Sequence, residues 1–148
     1  MQLPSFSVVV PKGWSCRGLV QDNPTGSDLM MKDLIATPTA DILGSTTYVG
    51  IRESNIALSM TQILERANKQ KNRKVSQVEW GGEKWVLEQY SGTSKDNTPV
   101  SLWLARTARK SVTGENKVYT ILASVPVTER SSYESLFTKM MATTQFVQ

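Results

Sequence analysis

The sequence predicts an α+β fold, an antiparallel β-sheet covered by helices in an α/β/α sandwich. Three observations carry this. Residues 117–125 (KVYTILASV) are an apolar, β-prone run that ends at Pro126. An amphipathic stretch opens at Ser131 and the chain closes near Phe146, so a helix there must cover the sheet, and the C-terminal quarter is core rather than tail. Consecutive β-prone runs between residues 75 and 125 are joined by short turns, which forces antiparallel pairing.

In chain order, residues 6–10 (FSVVV) form a short strand stopped by Pro11, and Pro11-Lys12-Gly13 is a turn before Trp14. Residues 21–28 (QDNPTGSD) read as a polar loop. Residues 29–35 are ambiguous, and a strand is favoured because the β-prone Leu34-Ile35 approaches Pro38. Residues 36–45 read as loop, and residues 46–52 (TTYVGIR) as a strand with Gly50 as a bulge. After a linker, Ser59 heads a helix, with Gln62 three places on in a capping-box pattern. Met60, Ile63, Leu64 and Ala67 give that helix one apolar face. Lys69, Lys71, Arg73 and Lys74 crowd its C-terminal end, where cations complement the helix dipole.

Residues 75–80 and 83–90 flank Gly81-Gly82, which supplies the positive φ angles of a tight hairpin. Period-two alternation puts Trp85 and Leu87 on one face and Val86 and Tyr90 on the other. Residues 91–98 make a long polar turn. In residues 100–109, Val100, Leu102 and Leu104 point one way, and Ser101, Trp103 and Ala105 the other. Residues 111–116 turn through Gly114 into the run at 117–125. There Tyr119, Ile121, Ala123 and Val125 oppose Val118, Thr120, Leu122 and Ser124. Ser131 and Glu134 make a second capping-box pattern, and Tyr133, Leu136, Phe137, Met140 and Met141 form one stripe. A chain of 148 residues with no repeat and no long linker reads as one domain, residues 1–148.

The order and spacing of these elements resemble the PsbP-like superfamily, which includes the PsbP subunit of photosystem II, Mog-type Ran-binding proteins and bacterial DcrB-type domains. The resemblance rests on the opening strand running into Pro11-Lys12-Gly13-Trp14 and on the helix at Ser59. It rests also on the Gly81-Gly82 hairpin (VEWGGEKWVLEQY), the strand ending at Pro126 and the final helix. These motifs are architectural and cover nearly the whole chain. Residues 21–45 match no part of the pattern. The resemblance implies a non-catalytic accessory, assembly or chaperone domain. It includes DcrB-type chaperones that hold hydrophobic helices of type VI secretion effectors on an exposed sheet face.

Residue chemistry points the same way. The chain has no histidine and one cysteine, Cys16, which removes Ser-His-Asp and Cys-His catalysis and most zinc sites. Cys16 is expected to be buried as a small apolar side chain. No phosphate-binding glycine loop is present, and no cofactor, metal or small-molecule substrate is expected. Glu79, Glu83 and Glu88 lie around the hairpin, and a carboxylate-dependent hydrolase or lyase is the alternative from another class. Asp22, Asp28 and Asp33 match no calcium-loop spacing.

The candidate partner-binding residues are Trp85, Trp103, Arg106 and Arg109. The two tryptophans share a face. If the last helix covers that face they are core. If it is open they make a contact platform rimmed by the arginines. With Lys+Arg 17 against Asp+Glu 13, the net charge of +4 favours an acidic protein partner or one presenting a hydrophobic segment. A nucleic-acid interface through residues 69–74 (KQKNRK) is disfavoured for want of a dense basic stripe. No stretch approaches the ~18 apolar residues of a membrane span. The compartment stays open: periplasm or envelope if a leader was removed, cytoplasm if Met1 is native.

Overall fold

The computed structural model describes residues 6–21, 31–40, 45–110 and 114–146. Within them the chain forms β1 (Phe6–Ser7), β2 (Ser15–Gln21), β3 (Met31–Thr37), β4 (Tyr48–Ser54) and α1 (Met60–Lys69). Then come β5 (Lys74–Trp80), β6 (Glu83–Thr93), β7 (Pro99–Lys110), β8 (Asn116–Pro126), α2 (Arg130–Ala142) and β9 (Gln145–Phe146). Seven strands make one antiparallel sheet in the order β2-β3-β4-β8-β7-β6-β5. The apolar run at 117–125 is thus the central strand, as its composition requires. β1 pairs instead with β9, Phe6 opposite Phe146, in a separate two-stranded ribbon.

Alternation on β8 divides the two sheet faces. Tyr119, Ile121, Ala123 and Val125 join Trp85, Trp103 and the α2 residues Phe137, Met140 and Met141 in the larger core. Phe137 meets Trp103 edge-on at 5.3 Å. Phe146 stacks on Phe6 and Trp85 and stands edge-on to Tyr119, so the end of the chain seals this core. On the opposite face α1 buries Ile63 and Ala67 against Val86 and Val118, with Leu64 and Ala108 at the margin. Each fully buried aliphatic or aromatic side chain contributes roughly 1.5–3 kcal/mol. The two helices therefore hold the sheet from opposite sides.

Local chemistry explains most element boundaries. The capping box of α1 is complete: the Gln62 amide donates to Ser59 Oγ at 3.1 Å, and the Ser59 amide donates to Gln62 Oε1 at 2.9 Å. Gly81 and Gly82 take φ of +62° and +79°, the left-handed pair that a two-residue hairpin needs. A Cβ on Gly81 would stand 2.6 Å from the Thr144 carbonyl oxygen, so this turn also packs under the incoming β9.

The structure changes several of these readings and adds β2. The opening strand is short, because after Ser7 the chain leaves the ribbon and the Val9 amide donates to Thr143 Oγ1 at 2.8 Å. β2 is a strand that its mixed composition, with Arg17 and Gly18, conceals. Gly50 is no bulge, since it keeps register opposite both Ile35 and Leu122. Ser131 caps nothing: a 3₁₀ turn at Val127–Glu129 runs into α2, Glu129 holds the N-cap position without a side-chain hydrogen bond, and Ser131 falls inside the helix. Cys16 is exposed, because β2 is an edge strand. The expected loop at 21–28 lies outside the described residues except for Gln21, which ends β2.

Candidate functional site

Trp85 and Trp103 occupy the closed face, with exposures of 0% and 4%. Neither is the other's cross-strand partner, since Trp85 faces Val78 and Trp103 faces Gln89. The Trp85 indole N–H is satisfied by the Trp80 carbonyl at 3.2 Å. The open face on which an aromatic platform depended is therefore not this one, and both tryptophans are core.

The two arginines part company. Arg109 reaches across the ribbon side, its guanidinium 4.1 Å from the Phe146 ring centroid and its Nε 3.6 Å from Glu83. Arg106 projects from the other face and contacts Glu88 Oε2 at 3.0 Å. Arg73 contacts Glu88 Oε1 at 2.6 Å and lies 3.8 Å over the Tyr90 ring. Glu88 is fully buried and saturated by these two guanidinium groups. Arg73 thus leaves the basic cluster at the end of α1 and serves the sheet. Glu79, Glu83 and Glu88 do not converge: Glu79 is exposed, Glu83 faces Arg109, and Glu88 is held between arginines. Asp22 and Asp28 lie outside the described residues. Asp33 stands opposite Arg17's neighbour Leu19 on β2 and opposite Arg52 on β4.

The notable feature is the half of the α1 face that α1 does not reach. Register aligns three rows across the central strands. One is Tyr48, Ser124, Leu102 and Tyr90; the next is Ile35, Gly50, Leu122, Leu104 and Glu88; the third is Arg52, Thr120, Arg106 and Val86. The half-buried Leu102, Leu104 and Leu122 floor a groove of about 770 Å³. Ile35 extends the floor towards β2, where the exposed Arg17 stands opposite it. Arg52 lines one end, and the turn carrying Ser94, Lys95 and Asp96 lines the other.

The polar groups here are tuned by their neighbours. Burial pushes the Tyr48 phenol above its ordinary range, the charge of Tyr90 adds to this, and the Ser124 hydroxyl opposes it. The Ser94 hydroxyl donates to Asp96 and, with Thr98, holds that carboxyl below its ordinary value. The acid of this turn is therefore ionised and tied to its own loop, while cations line the apolar floor. The sequence alternation had placed Leu102 and Leu104 together, and Thr120 with Leu122. It gave no signal that α1 stops short of them.

No helix among the described residues is long and apolar enough to cross a membrane. No family model matches the chain, and no curated protein matches it. Two solved structures are similar in fold. One is the crystal structure of LpqN, involved in cell envelope biogenesis of Mycobacterium tuberculosis, with a TM-score of 0.58 and 11% identity, over 98% of this chain and 86% of that one. The other is the solution structure of cyanobacterial PsbP (CyanoP) from Synechocystis sp. PCC 6803, with a TM-score of 0.54 and 14% identity, over 99% of this chain and 95% of that one. A seven-stranded antiparallel sheet with a helix on each face, closed by its terminal ribbon, is in this chain a PsbP-like α+β fold.

Proposed function

We propose that the chain is a non-catalytic accessory domain that holds a protein partner on the part of the sheet that α1 does not reach. The observation that carries this is the half-buried row of Leu102, Leu104 and Leu122 with cations at its margins. An apolar floor rimmed by polar residues is the usual anatomy of a protein-recognition patch. Glu83 and Glu88 pair with arginines, and Asp96, which lines the groove, is engaged by the Ser94 hydroxyl, so these carboxylates do not converge on one another. An envelope setting is supported by the role of LpqN. A chaperone that shields a hydrophobic client helix is a narrower form of the same reading, supported by the leucine floor.

Affinity capture with the wild-type chain and the Leu104→Lys variant tests it. The expected result is a protein recovered in stoichiometric amount with the wild type and lost with the variant, both chains giving the same far-UV circular dichroism. Equal recovery with the variant, or turnover of a small substrate by the purified chain, would overturn it.

A further inference from the structure

The cations of this chain are spread unevenly between the two ends of the sheet. At one end β5 and β7 start and β6 and β8 finish. The turn from α1 into β5, the turn at 94–98 and the 3₁₀ turn into α2 meet there. Lys69, Lys71, Lys74, Lys95 and Arg130 are exposed at this end, and among the described residues none of them is in an ion pair. Of the acids here, Glu88 is saturated by Arg73 and Arg106, Asp96 is engaged by Ser94, and Glu129 is at the N-cap of α2. The opposite end is balanced. Glu83 meets Arg109, Glu53 meets Lys117, and Glu79 stands opposite Lys84 on the hairpin.

Local structure does not require this cluster. The dipole of α1 accounts for Lys69, in its last turn. It does not account for Lys95, on another turn, and Arg130 opens α2, where a cation opposes the dipole. Unpaired like charges gathered from several elements without a structural gain point to an anionic surface that they meet. Two observations choose which surface. The rings beside these cations, Tyr90 and Trp103, lie under Arg73 and Arg130, so nucleic-acid bases find no stacking platform. In the 3₁₀ turn before Arg130, Val127 is 45% exposed, an apolar tip among cations. Cations with an exposed apolar side chain between them suit a lipid interface, where phosphates and acyl chains lie side by side.

We infer that this end of the molecule docks on an anionic membrane surface, with the lysines and Arg130 meeting lipid phosphates and Val127 entering the interface. This goes beyond the accessory-domain reading and does not depend on it. The groove ends at the turn that carries Lys95, so docking sets that mouth of the groove against the bilayer.

Cosedimentation of the whole chain with vesicles tests this. Vesicles of phosphatidylcholine alone are compared with mixtures of phosphatidylcholine and phosphatidylglycerol. Binding is expected to the mixture only, and to weaken as salt is raised. Each cation at an anionic surface tightens binding roughly fivefold, so Lys71→Ala combined with Lys74→Ala should weaken it about 25-fold. Val127→Ser should weaken it severalfold. Lys84→Ala combined with Lys110→Ala, exposed at the balanced end, should leave it unchanged. Equal binding to both kinds of vesicle would overturn the inference. Equal losses with the two lysine pairs would overturn it too, because net charge rather than this end would then be the cause. Unchanged binding by Val127→Ser would overturn the apolar insertion. Polyuridylate and polyglutamate form the last arms, and tighter binding of either than of the mixed vesicles would assign this end to a nucleic acid or an acidic protein instead. The capture experiment with Leu104→Lys decides the accessory-domain reading separately.

Discussion

Glu88 is the residue on which the α1 face turns. It is fully buried, and its two oxygens are divided between Arg73 and Arg106. Both arginines keep a fifth of their side chains exposed, so water can reach them if the carboxylate is removed. Glu88→Ala should therefore destabilise by about 3 kcal/mol, the lower end of the range for breaking a buried pair. A urea midpoint lowered with an unchanged m-value would report this. A loss within about 0.5 kcal/mol, the span of ordinary surface substitutions, would mean that the arginines are held by something else. The sequence hid this triad because its members are 15 and 18 positions apart, and only the strand register brings them together. It likewise placed Trp85 with Leu87 correctly by alternation, but which face a distant helix covers is a long-range fact.

The two helices show how far local signals reach. Ser59 and Gln62 exchange both hydrogen bonds of the capping box, a motif complete within four residues and so legible without the fold. Ser131 and Glu134 carry the same pattern, yet the 3₁₀ turn at Val127–Glu129 starts the helix early and leaves Ser131 inside it. Ser59→Ala should cost about 1 kcal/mol. Ser131→Ala should change stability by less than about 0.5 kcal/mol. Paired denaturation curves check both, and equal losses would contradict the assigned helix start. Strands with strong alternation, β6 to β8, were legible for the same reason as α1. β2 was not, since its edge position tolerates Arg17 and Gly18 where a central strand would require apolar residues.

For the whole molecule, titration links the two faces. Lys117 contacts Glu53 Oε1 at 2.5 Å beside the main core. Burial pulls its ammonium down, but the hydrogen bond and charge of Glu53, with smaller terms from Tyr119 and Glu115, outweigh this and leave the pKa raised above 10.5. Tyr48, on the groove face, is raised above 10.0 chiefly by burial. In each case the folded state holds its proton more tightly than the unfolded chain. Both contributions are complete below those ordinary values and are lost as pH rises through the folded ones. Stability should thus fall from about pH 10 upwards. Lys117→Met and Tyr48→Phe should each flatten the alkaline limb of a thermal-midpoint profile, and an unchanged limb in both would contradict the assignment.

At the same scale, among the described residues one sheet face is closed by α2 and the terminal ribbon, and the other is only half covered by α1. Recognition on that bare half is the central claim. It is tested most directly by placing a photo-crosslinking amino acid at Leu104 and, as a control, at the exposed Val9. Leu104→benzoylphenylalanine should capture one partner protein in the cell and Val9→benzoylphenylalanine none. Capture at Val9 with Leu104 silent would contradict the account.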